Sequence, residues 1–341
     1  MSPTPSANAP AASPRALPTL PGQADRLLRE LEWKVIRRLD GLLQGDYRTL
    51  MRGGGLDLAD LREYQPHDDV RHIDWNVTAR LNIPHVRVFT EDREMSAWFL
   101  LDLSPSINFG PQGNAKRDIL TGFVAVLARL LTRHGNRVGA MLYGAGDTAA
   151  RAVDTVLPPR SSRAHVLHLV HRLLTPPAAT PDKSGQGGGA TELHRLLQTG
   201  LANLRRRSTV FVVSDFISAP GWEKPLAQLA QRHDVVAVRL LDPLELELPD
   251  VGLVTLRDAE SGEQLQVDTH DAGFRHRFAR LAAQREGVLR EGLTKAGADT
   301  LELCTDDDLV DALLRFMDMR QRRVRRPLAT SLAWPTEPVA A

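Results

Sequence analysis

The chain has 341 residues, 42% of them hydrophobic and 25% charged, with a formal net charge of +1. That is the composition of a water-soluble globular protein with about two domains, and it excludes a broad electrostatic pull toward nucleic acid or acidic surfaces. The single cysteine, Cys304, excludes an intrachain disulfide and a multi-thiolate metal site, and suits a reducing compartment.

The opening segment, residues 1–22, is rich in Pro, Ala and Ser and lacks the basic start and apolar centre of a signal peptide. It reads as a disordered tail on a cytoplasmic protein. The most apolar run, Gly122 to Leu131, is too short for a membrane span and carries Arg129.

From Ala24 to Leu43, leucines and Val35 recur at helical spacing, which predicts one amphipathic helix with Gly45 as its stop. The stretch from Tyr47 to Glu94 is polar, aromatic and punctuated by glycine and proline, and HVRVFTEDRE alternates like a strand. Residues 23–95 are therefore expected to form a helix followed by a small β-rich module.

From Ser96 the pattern becomes regular. The apolar runs SAWFLLD, NRVGAMLYG, STVFVVSDF, DVVAVRLLDP and TLELC alternate with amphipathic helical stretches, and ARAVDTVLPP adds a short strand. This predicts an α/β fold, a doubly wound and mostly parallel sheet over residues 96–322, with helices on both faces and the functional crevice at the carboxyl ends of the strands. A β-hairpin is expected to interrupt it at about 243–270, packed with the β-rich module, and residues 323–341 form a C-terminal tail.

Two of those strands end in carboxylates, Asp102 and Asp215. Ser104 and Ser106 follow the first at alternate positions, and Thr191 follows the Gly187-Gly188-Gly189 loop at the start of a helix. In a doubly wound sheet the two strand ends can be neighbours. Two carboxylates and three hydroxyls are hard oxygen donors, suited to a small cation such as Mg²⁺ or Mn²⁺, and the hydroxyls leave the ion electrophilic, with a position open for an outside carboxylate. One or both carboxylates would act through water.

The pattern Asp102-x-Ser104-x-Ser106 with Thr191 and Asp215 resembles the metal-ion-dependent adhesion site of von Willebrand factor A domains. The preceding REYQPHDDVRHIDWNVTAR, Arg62 to Arg80, resembles the signature of a bacterial branch of that superfamily, the domain of unknown function fifty-eight. The resemblance implies a von Willebrand factor A-like fold, a site that docks proteins by letting a partner's Asp or Glu complete the metal sphere, and work alongside a MoxR-type AAA+ ATPase as an adaptor.

Plainer explanations stand beside these. Asp102 and the serines would form an Asx-turn or helix cap in the absence of Thr191 and Asp215, and Thr191 has the chemistry of an N-cap. His67, Asp68, Asp69, His72 and Asp74 fit no standard zinc spacing. Within the signature, Tyr64, Asp69, Arg71, Asp74, Trp75 and Arg80 are expected to hold the module together through buried hydrogen bonds and an ion pair, with a contact surface as the alternative. His165, His168 and His171 read as a half-solvated helix face.

Two other function classes remain. A metal-dependent hydrolase would use the same carboxylates to polarise water, but the sequence offers no general base, no Gly-x-Ser-x-Gly nucleophile and no P-loop. A nucleic-acid-binding protein would use the Arg-rich segments Arg205 to Arg207 and Arg320 to Arg326, which lack interleaved aromatics and sit where cations suit helix C-termini.

Overall fold

The computed structural model describes residues 20–36, 55–65, 68, 70, 73–92, 96–110, 115–144, 153–175, 191–257 and 263–325. The chain starts with α1 (Leu20–Leu31), which continues as a π-helical segment, Glu32–Ile36. The helix expected from Ala24 to Leu43 therefore begins four residues earlier, and its last part and its Gly45 stop lie outside the described residues. Its apolar face, with Leu28 and Ile36 fully buried, belongs to the main core. Ion pairs from Asp25 to Arg163 (3.1 Å) and from Glu32 to Arg129 tie it down.

Strands β1 (Gly55–Glu63) and β2 (His85–Asp92) pair antiparallel, with a bulge between Leu58 and Asp60. Between them lies α2 (Trp75–Leu81), a helix that the sequence reading does not anticipate. It starts at Asp74, whose carboxylate accepts from the Asn76 and Val77 amides, and stops at Asn82, which adopts the left-handed conformation (φ 54°) that asparagine tolerates.

The rest builds one six-stranded sheet. Its elements in chain order are β3 (Ser96–Asp102), α3 (Lys116–Arg133), β4 (Arg137–Tyr143), β5 (Val153–Arg160), α4 (Arg163–Leu174), α5 (Leu193–Asn203), β6 (Thr209–Ser214), α6 (Glu223–Arg232) and β7 (Asp234–Leu241). Then come the hairpin β8 (Leu253–Arg257) and β9 (Gln264–Asp268), α7 (Ala272–Ala296), β10 (Asp299–Cys304) and α8 (Leu309–Arg325). Sheet order is β10-β7-β6-β3-β4-β5, parallel throughout except that β5 runs antiparallel to β4. The expected α/β class with a mostly parallel, doubly wound sheet is what the chain adopts.

Strand alternation divides the core. Phe99, Leu101, Phe211 and Val213 meet α1, α3, α4 and α8 on one face, while Leu100, Val210 and Val212 meet α5, α6 and α7 on the other. Phe99 and Phe211 stack across neighbouring strands at 5.3 Å, with Phe123 of α3 edge-on to Phe211 at 6.2 Å. On the second face Gly200 brings α5 hard against β3: a Cβ there would lie 2.8 Å from the Leu100 side chain.

The β8–β9 hairpin occurs inside the interval expected for it, but it forms its own two-stranded sheet, and among the described residues no ladder joins it to the separate β1–β2 pair. The hairpin therefore does not extend the β1–β2 ladder; Val267 is the residue it buries most deeply.

Candidate functional site

The chain leaves β3 in one direction toward β4 and β5, while β6, β7 and β10 lie on the other side of β3. The boundary between β3 and β6 is thus the topological switch point, where the connections on either side diverge and open a crevice beyond the strand ends. Asp102 and Asp215 meet there because their strands are direct neighbours, with Leu101 paired to Val213.

Asp102 is completely buried. Its Oδ1 accepts from the Ser104 amide (3.0 Å) and its Oδ2 from the Ser214 hydroxyl (2.7 Å). The first bond closes the Asx-turn considered above. Burial, reinforced by repulsion from Asp215, pushes the Asp102 carboxyl up to about 6, against the hydrogen bonds from Ser214 and Ser104 that pull it down.

The loop after Asp102 is short and tightly backed. A 3₁₀ turn, Pro105–Asn108, closes through the Ile107 amide to the Ser104 carbonyl (3.1 Å), with the Phe109 amide bonded to Ser106 O at the same distance. Behind it sits Gly144 at φ 76°, where a Cβ would lie 3.2 Å from the Ser104 nitrogen. The turn sets Ser104 Oγ and Ser106 Oγ 3.1 Å apart. Adjacent ligands of an octahedral Mg²⁺, each at about 2.1 Å, would be separated by about 3.0 Å.

Asp215 is also buried. Its Oδ1 accepts from the Ile217 amide at 2.9 Å. The next residue, Phe216, has φ 58°, unusual for an aromatic. It is held there by its amide bond to Ser214 Oγ (2.9 Å) and by edge-to-face packing on Trp222 at 5.3 Å. Thr191 is buried, and its carbonyl accepts from the Ala219 amide (2.8 Å), which docks the start of α5 against the loop after β6. The N-cap of α5 is Glu192 rather than Thr191. Its amide is bonded to the Tyr143 hydroxyl at 3.1 Å.

Three residues that sequence reasoning missed complete the crevice. Lys116, the first residue of α3, is fully buried, and its Nζ lies 3.2 Å from Asp215 Oδ2 and 2.5 Å from Glu245 Oε1. Asp242, just after β7, caps the turn Pro243–Glu245 through the Leu244 amide (2.9 Å) and accepts from Thr305 Oγ1 (2.9 Å). Asp242 was legible as a third strand-ending carboxylate. Lys116 was not, since a lysine opening a helix ordinarily points into water.

The buried carboxylates and paired hydroxyls are hard oxygen donors of the kind a small divalent cation takes, and the Lys116 ammonium already sits against one of the carboxylates. Among the described residues no group of three or more His, Cys, Asp and Glu could hold a metal, so a metal here relies on hydroxyls and water.

The signature segment divides differently from the expectation. Asp74 is a buried helix cap, and Arg62 with Asp68 forms a two-pronged ion pair at 2.6 and 2.7 Å. Trp75, however, is 69% exposed, and Arg80 is exposed too, so neither belongs to a buried network. Tyr64 is half-buried and bonds through its amide to Pro84 O (2.8 Å). Asp69 and Arg71, with His67 and His72, lie outside the described residues.

Of the histidine stripe, His165 Nε2 bonds to the Val138 carbonyl at 2.8 Å, joining α4 to β4. Arg320 is buried in ion pairs with Asp234 (2.7 Å) and Asp299 (3.5 Å), which removes it from the basic C-terminal stripe. The side chains of Arg322 to Arg326 lie outside the described residues. Among those residues no helix is long and apolar enough to cross a membrane.

Residues 60–288 match the family model described as protein of unknown function DUF58. Uncharacterized proteins of Mycobacterium tuberculosis and Mycobacterium bovis are 38% identical over 295 residues, covering 86% of this chain and 89% of theirs. A Mycobacterium avium protein is 35% identical over 168 residues, 49% of this chain and 95% of its own.

Among solved structures, an aerotolerance-related membrane protein from Bacteroides fragilis and the conserved hypothetical protein BatB from Bacteroides thetaiotaomicron each align with a TM-score of 0.39. Each is 12% identical and covers 67% of this chain and 99% of its own. The length of the family match, with the mycobacterial relatives aligned over most of both chains, establishes that this chain belongs to the DUF58 family.

Proposed function

We propose that this protein is a metal-dependent protein-interaction module. A hard divalent cation, Mg²⁺ or Mn²⁺, would be held by Ser104, Ser106 and Thr191, with Asp102 and Asp215 acting directly or through water. The observation that carries the reading is the convergence of two buried carboxylates and a pair of serine hydroxyls at the switch point of the sheet.

Each residue has a distinct task. The serine hydroxyls supply geometry without charge, and Asp102, fixed by Ser104 and Ser214, supplies negative charge at a defined place. The Phe216–Trp222 packing holds the turn that aims Asp215. When bound, the ion supplies an electrophilic position that an outside carboxylate can fill. The partner is therefore a protein presenting an exposed Asp or Glu, and on the resemblance noted above a MoxR-type AAA+ ATPase is the first candidate, with this chain as its adaptor.

The test is a pull-down of such an ATPase by the purified chain in Mg²⁺, in EDTA, and with Asp102→Ala. Capture that needs Mg²⁺ and fails in the variant is expected. Capture that is equal in all three conditions would sink the mechanism.

A further inference from the structure

The crevice holds one element that a simple metal cradle does not require. Lys116 reaches it from the first turn of α3 with its side chain wholly removed from solvent. Burying an ammonium is costly unless it is closely paired. Its Nζ has two carboxylate partners, 3.2 Å to Asp215 and 2.5 Å to Glu245, and the Phe109 ring stands 5.9 Å away. Asp215 belongs to the proposed metal site, whereas Glu245 lies outside it, in the turn that follows β7.

A positive charge against Asp215 does electrostatically what a divalent ion would do. The two cations therefore compete for one carboxylate, and each weakens the other's hold. Glu245 is placed to settle the competition, because its oxygen is the closer of the two partners and accepts the ammonium without drawing on Asp215.

We propose that Lys116 is a tethered competitor cation that sets the metal affinity of the site, with Glu245 as the acceptor that draws it off Asp215. This rests on the metal reading above. Binding of the ion shifts the ammonium toward Glu245, and the interaction is reciprocal: whatever loosens the turn Pro243–Glu245 returns Lys116 to Asp215 and weakens the ion's hold. That turn opens the excursion that carries the β8–β9 hairpin.

The experiment is titration of Mn²⁺ alone into the full chain, followed by calorimetry and by the electron paramagnetic resonance signal of free Mn²⁺. Four proteins are compared: wild type, Lys116→Met, Glu245→Gln and the double variant. Lys116→Met is expected to bind Mn²⁺ about tenfold more tightly or better, and Glu245→Gln about tenfold more weakly. In the Lys116→Met background, Glu245→Gln is expected to change affinity less than about twofold, because the residue through which it acts is gone.

Unchanged or weaker binding by Lys116→Met overturns the proposal. So does an undiminished loss from Glu245→Gln in the double variant, which would mark Glu245 as a general field effect. Lys116→Gln, which keeps a donor toward Asp215, is the companion variant should the methionine fail to fold, and the same increase is expected of it. Absence of Mn²⁺ binding in all four proteins would remove the metal reading itself, an outcome distinct from binding that ignores Lys116.

Discussion

Lys116 Nζ lies 3.2 Å from Asp215 Oδ2 although the two residues are 99 positions apart and both side chains are buried. The pair joins the start of α3 to the end of β6 across the mouth of the crevice. Removing Lys116 leaves the buried Asp215 carboxylate without its counter-charge. Lys116→Met is expected to cost about 3 kcal/mol of unfolding free energy in metal-free buffer. Chemical denaturation at neutral pH checks the value, and added Mn²⁺ is expected to restore part of it, because the ion replaces the missing positive charge.

Asp102 sets a dependence on pH. Its carboxyl is raised to about 6 from an ordinary value of 3.8, so the native state favours the protonated form. The stabilising contribution of this group is full below about pH 3.8 and is lost as pH rises through 6. Asp102→Asn removes the buried charge, so metal-free wild type should lose stability relative to the variant between pH 4 and 7. Denaturation midpoints of the two proteins across that range check the sign, and a wild type that gains stability relative to the variant as pH rises would contradict it.

The same titration limits metal binding in the opposite direction. Protonating Asp102 removes one of the two negative charges at the site, so Mn²⁺ affinity of the wild type is expected to fall steeply below about pH 6. Asp102→Asn should bind weakly at every pH. Calorimetric titration at pH 5, 6 and 7 reads both outcomes.

Gly144 backs the loop of the proposed metal site with φ 76°, and a Cβ added there meets the Ser104 backbone at 3.2 Å. Gly144→Val combines an unfavourable backbone conformation with a collision against main-chain atoms that cannot rotate away. We expect about 2 kcal/mol of destabilisation and loss of Mn²⁺ binding. Thermal unfolding and metal titration of the variant test both effects, while Gly287→Ala, on α7 with open space around its Cα, serves as a control.

In the signature segment, Asp74 and Trp75 are neighbours with opposite roles. Asp74→Ala removes a helix cap that satisfies two amides and is expected to cost about 1 kcal/mol. Trp75 is mostly exposed, so Trp75→Ala should change stability by less than about 0.5 kcal/mol. Parallel urea titrations distinguish this from the expectation that both residues hold the module together.

Much of the fold was legible because burial leaves a simple mark. SAWFLLD matches β3 residue for residue, and β4, β6 and β7 fall inside the apolar runs that predicted them, since a strand covered on both faces must be apolar nearly throughout, while β5 and β10 each extend one residue beyond theirs. The module from 55 to 92 was read less well. α2 is short, amphipathic only in part and leaves Trp75 in solvent, so its helix rests on the Asp74 cap rather than on a periodic apolar face. That the β8–β9 hairpin and the β1–β2 pair form separate ladders was equally invisible, because each hairpin satisfies its own hydrogen bonds.

The sequence by itself determined the order of strands and helices from Ser96 onward, the strand-ending carboxylates Asp102 and Asp215, and the serines that follow the first of them, because each depends on residue type and local spacing. Only the tertiary structure decided that β3 and β6 are adjacent, so that the two carboxylates share one crevice, and that Lys116 and Arg320 are buried in ion pairs, the first of them partly with Glu245. The physical reason is that a charge carries no local sign of its partner. Whether a lysine faces water or a carboxylate depends on which distant strand ends the packing of the sheet brings beside it, and that is settled by the whole core at once.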